Sequence, residues 1–106
     1  MVKKVKDAIR ASIVHEQNGR LVLAASQHEV AGDLLRENKP EEAIKQYASG
    51  IDNLLVDFRN TLRVHPHHAS HSIYLDKVSH LSRKIGIIVK EEHSKNPTKA
   101  FPKPAK

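Results

Sequence analysis

Between Pro40 and Leu62 the chain places Ile44, Tyr47, Ile51, Leu54, Phe58 and Leu62 at steps of three and four residues. Only a helix presents such a series on one side. A helix of roughly six turns with one apolar face is not stable alone in water, so other parts of the chain must cover it. Two flanking stripes have the same period. Upstream, Leu21, Ala24, Ala25, His28, Ala31, Leu34 and Leu35 predict a helix from about Arg20 to Arg36. Downstream, Tyr74, Val78, Leu81, Ile85 and Ile88 form a 4-3-4-3 stripe that predicts a helix ending near Glu92. The breaks between them are "ENKP" (Glu37–Pro40) and "VHPHHASHS" (Val64–Ser72). Pro40 suits a first helical turn, and Glu41 and Glu42 behind it favour the helix dipole. The middle helix is expected to run to about Thr61 or Arg63.

A fourth stripe, Val2, Val5, Ile9 and Ile13, predicts a short amphipathic helix over residues 2–17. The following Asn18-Gly19 between apolar runs is also a strong β-hairpin signal. A strand there would have to become the next helix with no breaker between them. The preferred reading is therefore that Asn18-Gly19 stops the first helix. The expected fold is all-α: an antiparallel three-helix bundle over residues 20–93, an extra N-terminal helix over 1–19, and a Pro/Lys-rich linker or tail over 94–106.

Composition and charge exclude several functions. There is no cysteine, hence no disulfide framework and no cysteine-rich zinc site, and a reducing compartment fits. No apolar run reaches the roughly 18 residues of a transmembrane helix, and the basic N-terminus lacks the apolar region of a signal peptide. The net charge is +6. Residues 1–10 carry +3, from Lys3, Lys4, Lys6 and Arg10 against Asp7, and residues 95–106 carry +4, from Lys95, Lys99, Lys103 and Lys106. Residues 11–94 carry −1. A nucleic-acid binder is expected to array its bases on a folded face with aromatics interleaved, which this pattern lacks, so nucleic acid is not an expected partner.

The middle of the chain resembles one unit of a tetratricopeptide array, with Ala43, Tyr47 and Gly50 where such a unit wants Ala, an aromatic and a small residue. The array itself is absent. No proline ends the helix near Leu55, which continues into "VDFRNTL", and residues 73–106 do not repeat residues 39–72. A helical hairpin with a long second helix and one closing helix resembles the MIT (microtubule-interacting and trafficking) domain family over about residues 21–92. Ala31, Leu34 and Leu35 match the end of the family's first helix. "KPEEAIKQYASGIDNLL", with Glu42, Ala43, Ile44, Tyr47 and Ile51, matches its second. "VSHLSRKI", through Leu81 and Arg83, matches its third. The chain departs from the family at Pro40 (usually aromatic), His80 (usually Tyr) and Ser82 (usually acidic).

The resemblance implies a protein-interaction module that recruits its parent protein to ESCRT-III-type or related membrane-trafficking assemblies. It would bind short helical or extended motifs in a groove beside the last core helix. The alternative is a structural subunit docked within an autophagy lipid-kinase complex or another multiprotein complex. The "L-x-L-A…A-x-x-LL" opening (Leu21, Leu23, Ala24, Leu34, Leu35) is similar to that branch too. Localisation is expected to be cytoplasmic, with recruitment to endosomal or autophagic membranes and membrane association only through partners.

The residues point to the same groove by a separate route. Leu75, Ile87 and Val89 lie off the core stripe of the last helix, with Leu75, Ser82 and Val89 stacked seven apart. The surplus means either a wide core against the N-terminal helix or a groove for a partner. The groove residues expected are Leu75, Val78, Ser82, Ile85 and Val89, facing Ile51, Leu55 and Phe58. No catalytic, cofactor or metal site is expected. His65, His67, His68 and His71 crowd one loop without the surrounding shell that fixes metal ligands. The serine–histidine neighbours lack a nucleophile elbow, and no phosphate-binding loop is present. The chain itself is read as non-enzymatic, although its parent could carry a catalytic domain beyond Lys106.

Overall fold

The computed structural model describes residues 2–66 and 71–95, and every regular element among them is an α-helix. The elements are α1 (Val2–Gln17), α2 (Leu21–Leu35), α3 (Pro40–Val64) and α4 (His71–Lys95). None of these helices is long and apolar enough to cross a membrane.

Their ends follow the local chemistry. At the end of α1, Gly19 takes φ +73°, in the left-handed region that side chains with a Cβ avoid. The Gly19 N–H bonds to the Glu16 carbonyl (3.1 Å) and the Arg20 N–H to the His15 carbonyl (2.8 Å). This pairing is a Schellman cap, so Asn18-Gly19 ends a helix and does not turn a hairpin. Pro40 occupies the first turn of α3 with Glu41 and Glu42 beside it, as its sequence implies. Two boundaries differ from expectation. His71 and Ser72, read as loop, begin α4, and Ser94 and Lys95, read as tail, complete its last turn.

Successive helices pack in series: α1 on α2, α2 on α3 and α3 on α4. The apolar core is drawn from the last three, through Ala25 and Leu35 of α2, Ala43, Tyr47 and Leu54 of α3, and Leu81 and Ile88 of α4. Burying each of the large members is worth about 1.5–3 kcal/mol. Two glycines permit the close approach. A Cβ at Gly32 would lie 2.5 Å from Cε1 of the fully buried Tyr47, so the ring rests where a side chain would stand. A Cβ at Gly50 would meet Leu81 Cδ1 at 3.1 Å and the Ala25 carbonyl oxygen at 3.3 Å, which makes Gly50 a meeting point of α2, α3 and α4.

The α1 stripe needs correction. Of the expected apolar row Val2, Val5, Ile9 and Ile13, Val5 is half-buried and packs against the core, Ile9 is half-buried and Ile13 is exposed, while the Val2 side chain lies outside the described ones. Ala8 and Ser12 are buried instead, and α2 buries the equally small Ala24 and Ala31. Small residues let two helix backbones come close, and that contact outweighs burial of the bulkier isoleucine. Buried His28 joins three helices, with Nδ1 2.8 Å from Gln46 Oε1 on α3 and Nε2 3.3 Å from Glu16 Oε2 on α1.

Candidate functional site

The eight expected groove residues sit on α3 and α4, two helices that pack on each other. Ile51, Phe58, Val78 and Ile85 are half-buried, and Ile51, Val78 and Ile85 pack against the core. Leu55, Leu75 and Val89 are 45%, 54% and 36% exposed, and Ser82 is also exposed. The candidate strip thus combines half-buried apolar residues with exposed ones that are mostly apolar. Leu62, 38% exposed on α3, extends it. Residues 2–17 do not fill it, because α1 packs along α2 and leaves Leu75, Ile87 and Val89 exposed.

Aromatic contacts fix one end of the strip. The Phe58 ring stacks on Tyr74 at 5.5 Å and meets His71 edge-on at 5.4 Å. The Tyr74 hydroxyl donates to Asp57 Oδ2 (2.7 Å) and lies 3.4 Å from Thr61 Oγ1. The Thr61 contact lowers the phenol's pKa, but the Asp57 carboxylate and burial outweigh it and hold the phenol above its ordinary value. These contacts tie the first turns of α4 to the last turns of α3.

The opposite flank of α4 is polar. His80 Nε2 lies 2.8 Å from Glu29 Oε2. The Lys84 ammonium donates to Glu29 Oε2 (2.6 Å) and Asp33 Oδ1 (2.9 Å), and stands 5.7 Å from the centre of the Tyr47 ring. Beneath it the Tyr47 hydroxyl donates to Asp33. Burial disfavours the charge on Glu29, but hydrogen bonds from Lys84 and His80 outweigh it and hold the carboxyl below its usual value. Burial likewise opposes the charge on Lys84, and hydrogen bonds to Glu29 and Asp33 reverse that and raise it. Burial and then the Asp33 hydrogen bond push the Tyr47 phenol well up. Above this cluster, Val22 and Ala25 of α2 and Asp76, Lys77 and Leu81 of α4 line a depression of about 330 Å³.

This cluster, in which Lys84 stands two residues from the exposed Ser82, is not anticipated from the sequence. Lys84 faces α2, where two carboxylates neutralise it. A signal is nonetheless there: Glu29 and Asp33 are four apart on one helix, and His80 and Lys84 are four apart on another.

The histidine loop is only partly described. His71 sits on α4 against Phe58, and His67 and His68 lie outside the described residues. Among the described residues no three His, Asp or Glu side chains are placed to hold one metal ion. No family model, no curated protein and no solved structure matches the chain.

Proposed function

We propose that the chain is a protein-interaction module of the MIT type, with α2, α3 and α4 as the family's three helices. It recruits its parent protein to ESCRT-III-type or related trafficking assemblies by seating a short partner motif along the α3–α4 strip. The observation that carries this reading is the row of exposed Leu55, Leu75 and Val89 beside the half-buried Ile51, Phe58, Val78 and Ile85. Leucines of a partner helix at i, i+3 and i+4 would pack against these residues, each well-packed anchor contributing about 1–3 kcal/mol. Recruitment of this kind places a cytoplasmic protein at endosomal or autophagic membranes, with no catalysis by the module itself.

Chemical-shift mapping of the chain with filament-protein tail peptides tests the proposal. Shifts should centre on Leu55, Leu75, Ser82 and Val89, and Leu75→Ser should weaken binding by about 1–3 kcal/mol without unfolding the chain. Shifts confined to α2 would sink the assignment. A chain that ignores short peptides, yet binds a large complex through a broad surface, would instead be a permanently docked subunit.

A further inference from the structure

Among the large apolar side chains left exposed in the described residues, Ile13 and Val14 are the two on α1. Along the outer side of α1, Lys3, Lys6, Arg10, Ile13 and Gln17 step by three and four residues, and all five are exposed. Val14, next to Ile13, is 46% exposed, and Ile13 itself is 47% exposed. Lys6, Ile9, Arg10 and Ile13 together line one open, mainly apolar trough. Asp7 is the acidic residue of the exposed face, and Lys4 adds a further exposed base on the flank. The other acid of α1, Glu16, is half-buried and turned to His28.

Two properties coincide on this face. Its first turns carry the +3 of residues 1–10, whereas residues 11–94 carry −1, so the local field turns this helix towards a negative surface. Its later turns expose branched apolar side chains between the bases. A helix with one basic, partly apolar face and no capacity to span lies in the plane of a membrane interface, where lysine and arginine stems reach the headgroups from an apolar footing. A nucleic-acid backbone would take up the bases but leave Ile13 and Val14 without a partner.

We propose that the outer face of α1 is a docking surface for anionic lipid bilayers. Lys3, Lys6 and Arg10 meet the negative headgroups, and Ile9, Ile13 and Val14 enter the boundary with the acyl chains. Membrane contact is then made by the chain itself and not only through partners. The geometry leaves the proposed motif strip free. α1 packs on α2, whereas the strip belongs to α3 and α4, so the outer face of α1 shares no residue with it.

The test uses the full chain and vesicles of phosphatidylcholine, with and without phosphatidylserine. The chain has no tryptophan, so Ile13→Trp adds a single reporter on an exposed site. Its emission should shift to the blue with phosphatidylserine vesicles and stay unchanged with neutral ones. Co-sedimentation should fall at least tenfold for a Lys6→Glu/Arg10→Glu variant whose circular dichroism is unchanged, and should weaken as salt rises, as expected of bases near an anionic surface. Removing tail charge by Lys99→Ser/Lys103→Ser should leave most of the binding intact. The proposal is overturned if anionic vesicles do not bind at low salt. It is equally overturned if the tail variant abolishes binding while the α1 variant does not, or if duplex DNA shifts the reporter's emission as vesicles should.

Discussion

Along the flank of α4 that meets α2, His80 and Lys84 are held by Glu29 and Asp33. Away from that flank, Leu75 and Val89 of α4 stand exposed, as does Leu55 of α3. On this polar flank Glu29 meets both His80 and Lys84, and Lys84 also reaches Asp33, so the four groups form one network between α2 and α4. Partly exposed ion pairs contribute little stability. The energy lies beneath them, in Tyr47, Leu54, Leu81 and Ile88. The core thus lies under the polar flank, while Leu75, Ser82 and Val89 remain outside it.

The largest expected effect tests where the energy lies. Tyr47→Ala should cost about 3–5 kcal/mol in urea unfolding, because it empties the centre of the core and leaves Asp33 without its hydroxyl donor. A cost comparable to that of an exposed substitution would break the comparison.

Next come the two glycines. Gly32→Ala forces a methyl group into the Tyr47 ring and should destabilise by about 1–3 kcal/mol. Gly86→Ala on α4 meets open space and should stabilise by about 0.5–1 kcal/mol through helix propensity. Thermal melts of both variants report opposite signs if the tight packing is confined to the inner side.

A smaller effect concerns the open flank. Ser82 is exposed there between Leu75 and Val89, where the MIT resemblance implies an acid that pairs with a basic residue of the motif. With Lys84 engaged on the other flank, Arg83 is the neighbouring charge that remains. Ser82→Asp should strengthen binding of arginine-bearing peptides several-fold and leave purely apolar peptides nearly unchanged. Titration calorimetry decides it: equal affinity of wild type and variant for arginine-bearing peptides would refute the pairing.

The smallest effect is the pH response of the polar flank. Glu29 sits below its ordinary value of 4.5, so its stabilisation is present above that value and is lost as pH falls through the lower folded pKa. Lys84 sits above 10.5, so its contribution is present below that value and is lost as pH rises through the higher folded pKa. Lys84→Met should therefore lower the urea midpoint slightly at neutral pH and flatten the alkaline arm of its pH profile relative to wild type. Parallel profiles would show that the flank adds no stability.

The features legible in the sequence are those set within a few residues. Periodicity places α2, α3 and α4, Pro40 marks the start of α3, and Asn18-Gly19 marks the end of α1. The α3 and α4 rows of the candidate strip follow from the same counting, because apolar residues beyond one core face have to lie on another. The features that escape depend on distant partners. Lys84 finds Asp33 from 51 residues away, and no local pattern records that meeting. The buried face of α1 escapes because hydrophobicity favours Ile13, whereas close approach to α2 favours Ala8 and Ser12.

The serial packing of the helices also bears on how the chain reaches this state. Each helix docks on its immediate neighbour in sequence, so the chain closes short loops and gains packing at every step. Topologies dominated by such near-neighbour contacts fold in roughly microseconds to milliseconds. Newly made chain can therefore acquire its α2–α3 hairpin before α4 has been synthesised, and the last helix settles onto a surface already formed.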